Sequence, residues 1–221
     1  MGRKGISTVV SAALIVAIAL GLTSTAYIWG TPLIQKRQEA STTEKIYSQF
    51  SQSNQNSLGK MIEDVANNRG IRSFTIGTGG AWALNPTENS IEFTFTSRTS
   101  NIATNTQSPV SLTPGVQCAG TSPPNSPSPS TGILGQDSSS VVCVTATAQA
   151  DLFTIKYKIW FRELNDNPFS PTQRFAIQLE QDPTGLTTSS GNAVKITFDD
   201  STQQIINGQK LITKKIKILL I

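Results

Sequence analysis

Residues 1–38 read MGRKGISTVVSAALIVAIALGLTSTAYIWGTPLIQKRQ, and this stretch decides the fold. The basic residues Arg3 and Lys4 stand directly before Gly5, and no charged residue follows until Lys36. The run from Val9 to Ile28 consists mainly of Val, Ala, Ile and Leu, and it is as long as the roughly 20 apolar residues that span a membrane as a helix. Because no polar face survives along it, an amphipathic helix of a globular domain is a poor interpretation. The sequence predicts a hydrophobic helix over residues 6–34.

The surface of this helix combines small and large apolar side chains. Small side chains let helices approach one another closely in lipid or in a dense helical core. Tyr27 and Trp29 are typical of the end of a membrane segment at its interface with water. We expect assembly contacts from the large residues Val9, Val10, Leu14, Ile15, Ile18, Leu20, Leu22, Tyr27, Ile28 and Trp29.

Three interpretations of this opening compete. An ordinary secretory signal would be cut after Ser24-Thr25-Ala26, although its apolar core usually has only about 7–15 residues. A signal anchor would keep the helix in the membrane and hold an outer domain there. The third interpretation places the cut before the helix, so that the helix stays on the mature protein.

The third interpretation comes from a resemblance. Arg3-Lys4-Gly5, followed by Ile6-Ser7 and an apolar helix, resembles the class III signal of archaeal type IV pilin-like proteins. The resemblance is confined to roughly residues 1–40, and it implies that a prepilin peptidase cuts between Gly5 and Ile6, with residues 1–5 as the leader. Bacterial type IV pilins usually carry Glu at the fifth mature position, where this chain has Val10, and this departure favours an archaeal filament.

The same resemblance implies where the protein is located, how it assembles and what role it has. The chain would be membrane-inserted before assembly, with its positive leader on the cytoplasmic side. The pilus assembly machinery would then build a helical homopolymer outside the cell, with the apolar helices bundled in its core. Head-to-tail contacts that do not close into a ring generate such filaments. The expected role is a structural pilin for adhesion on the cell surface.

Residues 35–70 predict an amphipathic extension of the helix. We expect Pro32 to interrupt or bend the helix and residues 51–57 to form a looser turn. The spacing of Phe50, Leu58, Ile62 and Val65 is helical, and these side chains should pack against the following domain. Residues 68–70, Asn-Arg-Gly, are typical of a helix end.

Residues 71–221 predict a β-rich head, so the expected fold class is α+β with an antiparallel β-sandwich-like domain. Polar turns with Gly or Pro separate runs that alternate or are rich in β-branched residues. On two of the runs, Ile91, Phe93 and Phe95 should face inward, and Trp160 should face outward with the lysines beside it. Gly77, Gly79 and Gly80 predict a turn. The expected strands are residues 71–78, 90–98, 141–148, 151–161, 173–181, 193–199 and 210–221, the last with Ile216, Ile218 and Leu220 inward.

The cysteines, Cys118 and Cys143, flank a Ser/Pro-rich stretch, residues 119–142. In an exported chain such a pair predicts one disulfide that closes a loop, whereas in a cytosolic chain the thiols would stay unlinked. The stretch itself is typical of a bare flexible loop, with Ser/Thr density that is compatible with O-linked glycan.

Composition argues against several function classes. The chain has no histidine, which removes the commonest general base and metal ligand, and with them Ser-His-Asp and Cys-His catalysis. The net charge of +4, without a basic stripe, speaks against nucleic-acid binding. The oxygen-rich groups at residues 165–167 and 199–200 lack the spacing of a calcium loop and are better interpreted as turns. We therefore expect no enzyme, no cofactor and no metal.

Two alternative functions stay open. An archaellin, the subunit of the rotary swimming filament, shares the signal, the helix and a β-rich head. A membrane-anchored extracellular ligand-binding protein can bear the same signal, although such binders usually have a larger α/β body with a cleft.

Overall fold

The computed structural model describes residues 4–102, 109–118 and 127–221, and within the first helix it describes side chains from Val9 onward. The chain divides into two compact units, Met1–Ser41 and Thr42–Ile221. Helix α1, Lys4–Phe50, supplies the described part of the first unit and continues into the second. The second unit, called the head below, holds helix α2 and all of the strands that the described residues form.

Pro32 lies inside α1, so the expected interruption at this residue is wrong. A proline lacks an N–H donor and its ring crowds the preceding turn, but the residues on both sides of Pro32 stay helical. The chain leaves the helix at Phe50, and residues 51–57 form the looser turn that the sequence predicts. Asn54 stabilises this turn, because its side-chain nitrogen donates to the carbonyl of Ser48 at 2.9 Å. The predicted extension is therefore two helices, with α2 at Leu58–Asn68.

Two six-stranded sheets form the rest of the head. The first sheet has the order β1-β11-β12-β9-β8-β5, with parallel pairing between β12 and β9 and between β5 and β8. The second sheet has the order β10-β2-β3-β7-β6-β4 and is antiparallel throughout its described strands. The strands are β1 Ile71–Thr75, β2 Ala81–Asn85, β3 Ser90–Ser97, β4 Val110–Ser111, β5 Thr131–Ile133, β6 Ser140–Gln149, β7 Leu152–Phe161, β8 Glu163–Asn165, β9 Gln173–Gln181, β10 Thr188–Ser189, β11 Ala193–Ile206 and β12 Gln209–Leu220.

The predicted α+β class is therefore confirmed, as are the seven predicted strands, whereas the sequence missed β2, β4, β5, β8 and β10. The missed strands have two to five residues, too few for alternation to show. Gly77, Gly79 and Gly80 do lie between β1 and β2. At Gly80 a Cβ atom would collide with the ring of Phe93, so close packing requires the glycine there.

One apolar core joins the end of α1, α2 and the inner faces of both sheets. Ile91, Phe93, Phe95, Ile216, Ile218 and Leu220 are buried in it, as the sequence predicts. Its centre is aromatic: the ring centroids of Phe50 and Tyr157 lie 4.5 Å apart, as do those of Trp82 and Phe93. Such pairs contribute about 0.5–1.5 kcal/mol each beyond the burial of their area.

The position of Trp160 corrects an expectation. It was predicted to face outward beside lysines, and it is instead buried in a second, smaller cluster with Val116, Cys118, Val141 and Cys143. The disulfide-bonded segment lies over this part of β7 and excludes water from the indole. A second correction concerns residues 119–142, where β5 pairs with β8, so this part is not a bare loop. Residues 119–126 lie outside the described residues.

Candidate functional site

The candidate site is the charge-free part of α1 with described side chains, residues 9–34, which we call the arm. Its large apolar side chains are exposed between 52% and 74%. They point in every direction around the helix, whereas a helix that covers a globular core buries one stripe. The exposed set is Val9, Val10, Leu14, Ile15, Val16, Ile18, Leu20, Leu22, Tyr27, Ile28, Trp29, Leu33 and Ile34, which includes every predicted assembly residue.

Exposure of these apolar side chains to water is energetically unfavourable for the arm. Removing one such side chain from water gains roughly 1.5–3 kcal/mol, and the described residues bury none of the most apolar part of the helix. By length and composition the helix can cross a membrane. Its apolar surface is therefore compatible with membrane insertion, or with burial among other helices.

Three threonine side chains of the arm are compatible with apolar surroundings. Threonine hydroxyls in it donate to the backbone carbonyl one turn earlier: Thr23 to Ala19 at 2.7 Å, Thr25 to Gly21 at 2.8 Å and Thr31 to Tyr27 at 2.8 Å. In lipid or in a dry helix bundle each unsatisfied polar group costs several kcal/mol. These hydroxyls need no partner outside their own helix.

The small residues leave room on the surface of the arm. No atom lies within 4 Å of the position that a Cβ would take at Gly21 or at Gly30. Small residues of this kind allow another helix to approach closely, which is the geometry that supports packing in the absence of water.

The predicted processing site is only partly described. Lys4, Gly5 and Ile6 fall in the first turn of α1, and their side chains lie outside the described part, as does the whole of Arg3. The predicted cut between Gly5 and Ile6 stays a prediction.

The last two turns of α1, residues 43–50, belong to the core of the head. Ile46 and Phe50 are fully buried, and the buried hydroxyl of Thr43 lies 3.3 Å from Oγ of Ser97. Gln49 donates from its side chain to the carbonyl of Thr75 on β1 at 3.2 Å. The last turns of α1 are thus part of the core of the head.

A cavity of about 250 Å³ lies beside α2. Leu134, Leu164, Phe175 and Ile177 supply its apolar wall, and Lys60 and Glu63 line its polar side. Glu63 and Lys60 already have partners. Glu63 accepts from the hydroxyl of Ser139 at 3.0 Å and from the N–H and hydroxyl of Ser140 at 2.8 Å each, while Lys60 binds Glu63 at 3.0 Å. This arrangement fastens α2 to β6 and uses Glu63 and Lys60 within the fold.

Two further polar sites in the head are structural. Lys158 on β7 contacts Glu88 and Glu92; burial lowers the pKa of its amine, but these carboxylates outweigh burial and raise the pKa above its usual value.

Arg162 forms the second of these sites. It is buried, and burial lowers the pKa of its guanidinium against the opposing effect of Asp137. Its guanidinium donates to the carbonyls of Ser138, Pro129 and Thr131 at 3.2, 3.4 and 3.5 Å, so it holds the segment around β5 in place. Sequence reasoning missed this arginine, because no local pattern marks it.

The predicted disulfide between Cys118 and Cys143 is present, with Cα atoms 5.9 Å apart. Among the described residues no group of three or more His, Cys, Asp or Glu side chains is placed to hold a metal ion. Residues 165–167 begin at the end of β8, and there Asp166 accepts the N–H of Thr172 at 2.9 Å, in keeping with the predicted turn. The predicted turn at residues 199–200 is wrong, because these residues lie within β11, where the register against β12 shifts between Phe198 and Asp200.

Comparison with protein-family models, curated proteins and solved structures finds no match to the chain.

Proposed function

We propose that this protein is a structural subunit of an archaeal type IV pilus-like surface filament, held together by bundled copies of the arm. The observation that carries the proposal is a helix that exposes apolar side chains on all sides and ends inside the core of a separate head. Such a helix needs an apolar environment, first the membrane and then its own copies. The resemblance of Arg3-Lys4-Gly5 and Ile6 to a class III signal supports the same assignment.

The proposed assembly follows from these parts. Prepilin peptidase removes residues 1–5 and leaves Ile6 as the new terminus. The assembly machinery then moves the arm from lipid into a bundle of identical arms. Because lipid is as apolar as the arm, packing at small residues such as Gly21 has to favour the bundle over the membrane. The head, in which the disulfide closes the segment between Cys118 and Cys143, then forms the outer surface of the filament, where we expect it to serve adhesion.

The first experiment is the isolation of surface filaments from cells that express the full chain. Electron microscopy should show filaments, and mass spectrometry of their subunits should find a peptide that begins at Ile6. Recovery of mature protein that lacks residues 6–26, or recovery only as a membrane-bound monomer that retains Met1, would overturn the proposal.

A matched pair of variants tests the arm directly. Gly21→Leu keeps the arm apolar and fits within the chain, since nothing lies near that position. We expect it to insert in the membrane normally and to reduce the filament yield strongly, because a large side chain prevents close helix contact. Leu33→Ile, a change of equal volume at an exposed arm residue outside the predicted assembly set, should assemble normally. Equal yields from the two variants would reject close packing at residue 21.

A deletion strain separates the uses of the filament. Loss of attachment with normal swimming supports the proposed adhesion. Loss of swimming with normal attachment would assign the chain to the archaellins. Specific sugar binding by the purified protein, without filaments, would instead assign it to the anchored ligand-binding proteins.

A further inference from the structure

Strand β11 is longer than the strand that covers it. β11 extends from Ala193 to Ile206, but β1 pairs only with its first part, Ala193–Thr197. The carbonyl of Gly70, just before β1, accepts a hydrogen bond from the N–H of Phe198. Beyond this point β12 pairs with β11 on one side, and no described strand lies on the other. We call residues 201–206, Ser-Thr-Gln-Gln-Ile-Ile, the free edge.

The turn between β11 and β12 shows which main-chain groups point outward. Asn207 and Gly208 have φ values of 51° and 77°, as in a two-residue type I′ turn, and Ile206 lies opposite Gln209. In such a hairpin the residues next to the turn form a hydrogen-bonded pair, and the pairs then alternate along the ladder. The N–H and C=O groups of Ser201, Gln203 and Ile205 therefore point away from β12.

Most of these groups have no partner among the described residues. The N–H of Ser201 donates to Oδ1 of Asp200 at 2.7 Å, so the outward donor at one end of the free edge already has a partner. No described hydrogen bond uses the N–H of Gln203 or of Ile205. Residues 203–206 are exposed, and Ile205 is 81% exposed.

The free edge lacks the usual protection against pairing. Natural sheet edges carry charges, prolines or very short strands. The second sheet ends in the two-residue strands β4 and β10, and β1 carries Arg72, which pairs with Asp64 at 3.0 Å. The free edge contains no charge, no proline and no glycine, and two of its six residues are isoleucine. Uncharged segments of this length with β-branched residues pair readily with other strands.

We propose that the free edge pairs, in antiparallel orientation, with the free edge of a second copy of this chain, about a two-fold axis at Gln203. In this register Gln203 lies opposite its own copy, and Ser201 lies opposite Ile205 of the other chain. The outward N–H of Gln203 donates to the carbonyl of the other Gln203, and the N–H of Ile205 donates to the carbonyl of the other Ser201. The result is a continuous sheet across two heads.

We propose a second copy of this chain as the partner because the hydrogen-bonding groups of the free edge are complementary to those of an identical edge. Each outward donor that lacks a partner meets an outward carbonyl of the same segment, so one edge satisfies the other reciprocally. No charged residue opposes a charge of the same sign, because Asp200 falls opposite Ile206. An isologous contact of this kind needs nothing but two identical surfaces. The proposal uses no residue of the arm, and it stands or falls independently of the filament.

Cysteine cross-linking of the full chain in detergent micelles tests the pairing. Gln203→Cys should form a covalent dimer with a short bis-maleimide, while the native cysteines stay unreactive in their disulfide. The matched control is Gln178→Cys, since Gln178 is also exposed but lies on β9, which is paired along β12. Dimers from Gln203→Cys alone support the proposal, and equal yields from the two variants overturn it.

A second pair of variants tests the hydrogen bonds themselves. In the Gln203→Cys background, Ile205→Pro removes an outward N–H that β12 does not use, whereas Ile205→Ala keeps it. We expect cross-linking of the proline variant to be slower by on the order of tenfold or more, because two inter-chain hydrogen bonds are lost. Thermal unfolding checks that both variants are folded. Equal rates would overturn the strand-pairing geometry, and pairing of this edge with a strand of a different protein would leave Gln203→Cys without homodimers.

Discussion

Asn89 joins the two sheets of the head through its side-chain amide. Its Nδ2 donates to the carbonyls of Phe161 and Ile177 at 2.9 and 2.6 Å, and its Oδ1 accepts the N–H of Leu179 at 2.8 Å. Phe161 belongs to the second sheet, while Ile177 and Leu179 lie on β9 of the first sheet. Asn89 also has a φ of 53°, a conformation that asparagine tolerates better than most residues.

We expect Asn89→Ala to lower the free energy of unfolding by about 3 kcal/mol, because it leaves backbone groups of β9 without partners. The matched control is Asn207→Ala, which has nearly the same φ of 51° but lies in an exposed turn. The control should lose only the roughly 1–2 kcal/mol that the left-handed conformation costs. Urea unfolding followed by circular dichroism measures both. Equal losses would show that the sheet-bridging bonds contribute nothing.

Tyr157 is a buried residue whose hydroxyl finds no hydrogen-bond partner among the described residues. Burial raises the pKa of this phenol well above its ordinary value, and the charges of Tyr47 and Glu44 raise it further. The native state therefore keeps the proton at a pH where the unfolded chain, with an ordinary tyrosine pKa of about 10, loses it. The contribution of this group to stability is complete below about pH 10 and declines as the pH rises above that value.

Replacing Tyr157 with Phe should remove this pH dependence. At pH 7 we expect the variant to be as stable as the natural chain or more stable by about 1 kcal/mol, because an unpartnered hydroxyl leaves the core. Between pH 9 and about pH 11 its stability should fall less steeply than that of the natural chain. The measurement is thermal unfolding over this range, with Tyr27→Phe on the arm as the control. Parallel curves for the natural chain and Tyr157→Phe would contradict the prediction.

At the scale of elements, α1 has two roles that change near residue 42. Up to Ser41 it belongs to the first compact unit, and from Thr42 it belongs to the head. The change is visible in burial: Ile34 is 58% exposed, whereas Ile46 and Phe50 are 1% exposed. Large apolar residues in the first part are exposed, and those in the last two turns are buried in the core of the head.

Two shortened chains test this division. A chain that begins at Thr42 should fold and unfold cooperatively, because it keeps the complete core. A chain that begins at Leu58 loses Ile46 and Phe50 and should not fold stably, since emptying one large aromatic site alone costs about 3–5 kcal/mol. Far-UV circular dichroism and thermal unfolding distinguish the outcomes. Cooperative unfolding of both chains with equal midpoints would show that the end of α1 is not part of the core.

The long strands could be predicted from the sequence more easily than the short ones. The long alternating strands β3, β7 and β12 show their inward faces in the sequence, and the structure confirms them. Pro32 was overestimated as a helix breaker, because the helix continues on both sides of it although an interior proline lacks an N–H donor and crowds the preceding turn. Trp160 was misplaced, since alternation within a strand says nothing about a segment that covers its outer face.

At the scale of the whole molecule, the two proposed association surfaces differ in chemistry and in symmetry. The arm is apolar on all sides and suits contacts that repeat without closing. The free edge presents main-chain hydrogen-bonding groups and suits one reciprocal pair. Variants in the arm should therefore leave cross-linking at residue 203 unchanged, and variants at the free edge should leave filament yield unchanged.

The sequence by itself determined the apolar helix, its extension into an amphipathic part, the α+β class, the long strands and the pairing of Cys118 with Cys143. These features are visible because each depends on composition or periodicity within one segment. Only the tertiary structure decided the order of the strands, the parallel pairing of β9 with β12, the bridge at Asn89 and the uncovered part of β11. These depend on which distant segments meet, and the physical reason is that backbone hydrogen-bonding groups are the same at every residue, so a sequence does not show which of them stay without a partner.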